Sequence, residues 1–449
     1  MTPTSTQIIN KVKDAGVVGA GGAGFPAYIK INSKVKTLIA NAASCEPLVT
    51  SDFALINIDP EKLLKSMTLV MDVTSSEEGI IAIKRKHKSI IKTIEKELSK
   101  YKDKRLRLHL LDDFYPAGDE FVLVYEVTQK IIPERALPLE VGCLVQNVTT
   151  LIQIFEACEN KPVTGRFVTI TGEVEKPQDV FLPLGFSFKE AISIAGGPTC
   201  ENIRVIHGGP MMGKLVENIE SETVLKTTSM ILVLPEEHIL IQKRLQPISN
   251  TLKMAKSVCC QCSMCSDLCP RGLIGHPLNP HKIMRTIAYN LSEPAENVTS
   301  SFLCSECGLC SSYSCSMGLI PHRVNIEIKS ALTKNKFKFE RLLKDYNVDN
   351  EIRDSRKVPT YRLMSRLDLT KYKIDNLPVR SNNIKPASVS INLQQHIGAK
   401  SKPKVKVGDI VNKGDLIADI PDNKLGANIH ASINGEIKEI NDNEIVIKG

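Results

Sequence analysis

Residues 259–270 read CCQCSMCSDLCP, and residues 304–315 read CSECGLCSSYSC. The first run is C-x2-C-x2-C-x3-C-P, the spacing of bacterial two-cluster ferredoxins. Three thiolates on one tight loop can face three corners of an iron–sulfur cubane, while the fourth cysteine leads away to a neighbouring cluster. The second run repeats the loop with one more residue before its last cysteine. In two-cluster ferredoxins the fourth ligands cross over. On that logic Cys259, Cys262, Cys265 and Cys315 hold one [4Fe–4S] cluster, and Cys304, Cys307, Cys310 and Cys269 hold the other. Structural zinc favours two C-x-x-C pairs or Cys/His pairs over three cysteines at successive spacings of three. Cys260 falls outside the register. Cys143, Cys158 and Cys200 lie in apolar contexts and read as core residues. His276 and His281 flank the first loop and read as packing or helix-end residues.

Thirteen cysteines in 449 residues need an explanation other than disulfides. Residues 1–10 (MTPTSTQIIN) lack a basic n-region and an apolar h-region, and no stretch approaches the roughly 18 unbroken apolar residues of a membrane span. The chain is therefore expected in the cytoplasm, where thiols stay reduced. Hydrophobic residues make up 42% and charged residues 24%, the balance of a folded protein. The formal charge of +8 permits an acidic partner surface. It does not demand nucleic acid, and no Trp is present to stack on bases.

The length predicts several domains. Residues 1–162 read as α/β: Thr37–Asn41, Gly79–Ile83 and Arg107–Leu111 as buried strands, with Pro60–Val70 and Ser89–Lys100 as helices. Residues 163–247 carry strands at Arg166–Val174 and Gln178–Pro183, then a helix ending at Gly196-Gly197-Pro198, the β–β–α order of a β-grasp-like module. Residues 248–330 hold the cysteine loops among short helices. Residues 331–385 are rich in Lys, Arg, Asp and Asn and read as a basic linker. Residues 386–449 are all-β, with turns at Lys406–Asp409 and Asn412–Asp415, as in a small sandwich or flattened barrel. Lys424 stands near a tail hairpin but one position off the place of a carrier lysine, so the tail reads as a structural module.

Residues 19–26 read GAGGAGFP, ahead of a helix or turn bearing Lys30. Glycines let backbone N–H groups approach a phosphate, but alone such a loop is equally a flexible turn. Polar segments follow the expected strands: Asn41–Pro47 (NAASCEP), Tyr115–Glu120 (YPAGDE) and Gln146–Thr150 (QNVTT). Strand ends are where α/β proteins bind nucleotides.

These four segments together resemble the flavin- and NADH-binding component of respiratory complex I and the RnfC component of the Rnf complex. Over essentially the whole chain the sequence resembles the cobalamin (corrin) reductase family of propanediol-utilisation microcompartments. YPAGDE, GGPMMG (208–213), CPRGLIGH (269–276), QHIGA (395–399) and LGANIHA (425–431) carry that likeness. The resemblance implies a Rossmann-like FMN/NADH-binding domain, a β-grasp (SLBB-like) module, an α-helical two-cluster ferredoxin-like domain and a C-terminal β barrel-sandwich hybrid. It implies FMN at Gly21, Gly22, Gly24 and Lys30, with Asn41 and Asn147 also holding it. Glu46, Asp119 and Glu120 match acidic positions lining the flavin and nicotinamide pocket. The complex I motif has two acidic residues where this chain has Ala43 and Ser44, so that nicotinamide contact does not carry over. From the residues alone, Asn41 and Asn147 are equally strand-end turns, and Asp119 and Glu120 equally a helix N-terminus.

The activity implied is electron transfer from NADH through FMN and two [4Fe–4S] clusters to a corrinoid, reduced to cob(I)alamin. The implied partners are a corrinoid acceptor, a cobalamin adenosyltransferase and a microcompartment shell protein, with no nucleic acid and no membrane span. The alternatives are an adaptor feeding another reductase, of proline-reductase or Rnf type, and a non-catalytic cluster-bearing scaffold.

Overall fold

The computed structural model describes residues 3–292, 294–342, 345–374, 377–381 and 384–449. Its first layer is a four-stranded parallel sheet in the order Leu106–Leu111, Glu78–Lys84, Thr37–Asn41, Cys143–Asn147. Parallel strands need helical crossovers, which cover both faces. Leu38 and Ala40 accordingly face the helices Ser5–Asp14, Pro60–Thr74 and Val148–Cys158. Ile39 faces the Glu120–Thr128 helix on the other side. Local chemistry sets the helix ends. The Asp59 carboxylate accepts from the Lys62 amide, Pro60 occupies the first helical position, and Ser75 closes the helix in a left-handed conformation.

The second layer is a six-stranded mixed sheet. Gly165–Gly172 and Met230–Pro235 run parallel at its centre, with Gln178–Pro183 and Ile203–His207 antiparallel outside them. Every residue of Gly165–Gly172 is buried. The β-branched alternation there sorts side chains between two covered faces, not between core and water. Ile231 and Val233 pack under the Phe188–Ile194 helix, whereas Met230, Leu232 and Leu234 face a second core.

That second core draws on the stretch expected to be a linker. Leu363, Leu367 and Leu369 are fully buried in it. Val358–Pro359 pairs with Phe114–Tyr115, and Val379–Arg380 extends the mixed sheet beside Gln178–Pro183. Arg353 forms a buried ion pair with Glu126. Residues 350–372 are thus a strap across the first two domains, a correction to the linker reading. The leucines span too short a run for helical periodicity to stand out. Positions 343, 344, 375, 376, 382 and 383 of this stretch lie outside the described residues.

The tail closes as two small sheets around Val389, Ile391, Ile417, Ile429, Ile437 and Ile445. Its two matching turns use one device: Asp409 accepts from the Lys406 amide and Asp415 from the Asn412 amide. Lys424 is exposed just after the end of a turn. No helix among the described residues is long and apolar enough to cross a membrane.

Leu363→Ala tests the strap. A buried leucine lost from a core costs about 2–5 kcal/mol, so the variant should melt earlier and expose residues 350–372 to protease. A variant melting and resisting protease like the parent would return this segment to the status of a linker.

Candidate functional site: two thiol sets beside a glycine-rich cradle

The first cysteine loop folds tightly because Gln261 and Ser263 adopt left-handed conformations between its cysteines. Burial, then the neighbouring Cys315, Cys259 and Cys262 sulfurs, push the Cys265 thiol up to about 12. Cys269 belongs elsewhere. Burial raises it to about 11, and the sulfur acting on it is that of Cys304. Burial followed by Cys269 and Cys304 raises Cys307, and burial followed by Cys304 and Cys307 raises Cys310. These neighbours group the thiols as Cys259, Cys262, Cys265 and Cys315 on one side and Cys269, Cys304, Cys307 and Cys310 on the other, with Cys310 also within reach of Cys265.

The two sets differ in exposure. Cys269, Cys307 and Cys310 are buried and Cys304 half-buried, whereas Cys262 is exposed and Cys259, Cys265 and Cys315 are half-buried. Crowded, desolvated thiols resist ionisation unless a cationic core sits among them. That chemistry fits an iron–sulfur cubane in each set. Among the described residues no three His, Cys, Asp or Glu side chains close on a single ion; a cubane seats its sulfurs farther apart than one ion does. Cys260 is exposed outside both sets, Cys143 is buried in the first domain, and Cys158 and Cys200 are half-buried. His281 Nδ1 lies 2.7 Å from the Ser266 hydroxyl, and His276 packs between Phe121 and Tyr346.

The glycine-rich loop lies at the C-terminal ends of the parallel strands. Among the described residues no acceptor meets the exposed amides of Gly21, Gly22 and Ala23. Gly22 has φ +134°, and a Cβ there would meet open space. Such free amides suit a phosphate, so the loop fits the phosphoryl end of FMN. Gly21 lies against Asn147, whose side chain caps the next helix through the Thr150 amide and donates to Asp52 at 2.7 Å. Asn41 accepts from the Ala43 amide and donates to the Gly118 carbonyl at 2.9 Å. Both asparagines therefore build the strand-end turns, and each keeps one amide hydrogen without a protein acceptor in these contacts. Lys30 pairs with Glu120 at 2.7 Å.

The remaining acids are held by the protein. Asp119 caps the Glu120–Thr128 helix and pairs with Arg271 at 3.0 Å, while Arg271 stacks on Phe121. Glu46 accepts from the Met211 and Met212 amides and from the Tyr115 hydroxyl. Burial raises its carboxyl above the usual range, against those hydrogen bonds. The single Tyr115 hydroxyl proton is shared with the Cys307 carbonyl at 2.8 Å, the shorter of its two contacts, joining the first domain to the buried thiol set.

Sequence reading missed what grips the glycine loop. Thr150 accepts from the Ala20 amide at 2.9 Å. Buried Arg166, on the mixed sheet, donates to the carbonyls of Lys226 at 2.6 Å and Ala20 at 3.2 Å. Ile397, in the tail, donates to the Gly24 carbonyl at 3.0 Å. Gly24 has φ +68°, and a Cβ there would press on His396 and Gln395. Lys226 donates to the Gly16 and Asn428 carbonyls, and burial lowers its pKa to about 7. A charged residue in a wholly buried strand, Arg166, was the one available signal.

The domain order matches known families. Residues 12–156 match the Nuo51 FMN-binding domain, 167–215 the SLBB domain, 258–320 the 4Fe-4S dicluster domain and 367–448 the RnfC barrel sandwich hybrid domain. The cobalamin reductase PduS of Citrobacter freundii is 40% identical over 444 residues, covering 98% of this chain and 96% of that protein. The chain belongs to the cobalamin reductase family. Its Salmonella typhimurium member is 38% identical over 448 residues, covering 100% of this chain and 97% of that one. The C component of the Na(+)-translocating ferredoxin:NAD(+) oxidoreductase complex of Acetobacterium woodii is 34% identical over 60% of this chain and 58% of its own length. A chain of an NAD+-reducing [NiFe]-hydrogenase in its H2-reduced state shares the fold, with a TM-score of 0.50, 18% identity and coverage of 78% of this chain and 66% of that one. Like its relatives, this cobalamin reductase family member is an oxidoreductase built on flavin and iron–sulfur domains.

Two outcomes are expected. Cys259→Ser with Cys315→Ser removes two ligands of one set, so about four of eight irons should remain and one cluster signal should persist unchanged; with uncrossed loops each cluster would lose one ligand of four and both signals should change. Arg166→Met should weaken FMN binding about tenfold or more in reconstitution, since a hydrogen bond from a charged group contributes about 1.5–3 kcal/mol.

Proposed function

We propose that this chain is an NADH-dependent corrinoid reductase, performing NADH + 2 cob(II)alamin → NAD+ + H+ + 2 cob(I)alamin. One observation carries the reading. The thiol sets form an inner and an outer station, the inner one bonded to the flavin lobe through Tyr115 and the outer one at the surface. Bound at these sites, FMN and the two clusters supply the conversion of a two-electron donor into one-electron deliveries. The chain's own residues supply position. The Gly21, Gly22 and Ala23 amides hold a phosphate, and Arg166, Thr150 and Ile397 fix the loop that presents them. The Lys30–Glu120 pair and Asn41 line the strand ends where flavin and nicotinamide meet. Glu46 and Asp119 act as ties, Glu46 to the 208–213 loop and Asp119 to Arg271 of the first cysteine loop.

Cob(I)alamin is the substrate of adenosylation, so the product passes to a cobalamin adenosyltransferase. Docking to a shell protein would place the cycle inside a propanediol-utilisation microcompartment. The likeness to the Rnf-type component favours a second reading, an electron adaptor for another reductase.

The test is anaerobic. NADH should bleach flavin and cluster absorbance of the holoprotein, and added corrinoid should yield cob(I)alamin, trapped by adenosyltransferase. Bleaching without corrinoid reduction would select the adaptor; absence of bleaching would sink both readings and leave the scaffold.

A further inference from the structure

The Thr360–Arg366 helix packs against the Cys310–Ser314 turn of the second cysteine loop. Between them opens a cleft of about 500 Å³ lined by Tyr313, Tyr361, Arg362, Ser365 and Arg366. Tyr313 stands two residues before Cys315 of the outer thiol set, which limits their Cα separation to about 7 Å. Lys243 donates to the Ser311 carbonyl at 3.2 Å and lies within electrostatic reach of both Arg366 and Cys315. The cleft is therefore next to the station where electrons leave.

Its chemistry is specific. Arg362 and Arg366 are both exposed and sit four apart on one helix face, where like charges disfavour the helix. Among the described residues neither makes an ion pair with a carboxylate. Arg362 Nε instead lies 3.1 Å from the Tyr361 hydroxyl, and Tyr313 is within electrostatic reach of its guanidinium. Tyr361 leaves 63% of its surface to solvent. Two guanidinium groups match a phosphodiester, and an exposed phenol ring matches an aromatic base.

We propose that this cleft is the acceptor's docking site and holds an organic phosphodiester bearing an aromatic base, as in the nucleotide tail of a complete corrinoid. The assignment deepens the corrinoid reading and rests on it. The tail fills the cleft while the macrocycle lies outside it, over the outer thiol set. An acidic protein on the same arginines is the competing occupant, and the ligand series separates the two.

The probes are hydroxocobalamin, which has the nucleotide tail, and cobinamide, which lacks both phosphodiester and base. Equilibrium dialysis against anaerobic holoprotein gives Kd, and NADH-driven corrinoid reduction gives KM and kcat. Arg362→Glu with Arg366→Glu should raise the hydroxocobalamin Kd and KM at least tenfold with little change in kcat. Flavin and iron content per chain should match the parent. Lys92→Glu, an exposed charge reversal on the 88–100 helix of the first domain, should keep the parent Kd. Cobinamide should bind the parent about as weakly as hydroxocobalamin binds the double variant. Equal Kd for hydroxocobalamin in parent and double variant, or equal Kd for the two corrinoids in the parent, would overturn the cleft assignment alone. A parent that bleaches with NADH yet neither binds nor reduces any corrinoid would overturn the function reading together with it.

Discussion

On the crossed ligand assignment we propose, each cysteine loop gives three sulfurs to one set and its last sulfur to the other. Neither set can form from one loop, so the geometry of the redox centre depends on both loops folding against each other. The 34 residues 270–303 separate the loops, and the Pro280–Tyr289 helix among them packs against the Pro321–Lys334 helix that follows the second loop. Metal binding and folding are then one equilibrium, since the unfolded chain offers no preformed site. The exchange also brings the two sets close: Cys310 lies within electrostatic reach of Cys265 as well as of its own partners.

A comparable interlock holds the nucleotide cradle. One loop of the first domain is gripped by its own Thr150, by Arg166 of the mixed sheet and by Ile397 of the tail. Lys226 lies at the same junction, with its ammonium on carbonyls of the first domain and the tail. Its main chain is engaged too: its amide donates to Gln395 and its carbonyl accepts from Arg166. These polar groups are buried, so each lost partner leaves an unsatisfied group at a cost of about 1–3 kcal/mol. The tail is in this sense a wall of the glycine-rich loop that we propose holds FMN. It need not carry a cofactor of its own to matter for the chemistry, and its exposed Lys424 is no part of that wall.

What the sequence made legible was local. Cysteine spacing predicts the crossed sets, because ligand geometry around a cubane constrains neighbours a few residues apart. The apolar runs of the first domain predict its parallel strands, because strands covered on both faces are apolar throughout. The roles of Arg166, Lys226 and Ile397 were not legible, because their partners stand far away in the chain: Lys226 and Gly16 are 210 residues apart. The strap escaped for the opposite reason. Its helices are short and its surface is charged, so Leu363 and Leu367 look like two isolated leucines until the mixed sheet is there to receive them. Asp119 and Glu46 stood out in the sequence as acids in polar segments after strands, but their fixed partners, Arg271 and the Met211 and Met212 amides, did not.

The burial difference between the thiol sets carries an electrostatic problem that the chain addresses on the inner side. Burial disfavours added negative charge, so a buried set would by itself be harder to reduce than an exposed one. The inner set carries compensating dipoles. The Glu306 amide lies 3.4 Å from Cys304 Sγ, and the Asn325 side-chain amide approaches the same sulfur. Backbone amides of Gly272 and Arg271 reach Cys269, and that of Leu309 reaches Cys307. Lys329 also lies within reach of Cys304, paired at 2.7 Å with Glu306, whose charge acts on the same sulfur in the opposite sense. The outer set has the Gln261 side chain on Cys259 and Lys243 within reach of Cys315, and its Cys262 is open to solvent. With a cluster bound in each set, amide donors on one side and Lys243, Gln261 and solvent exposure on the other would each offset added negative charge.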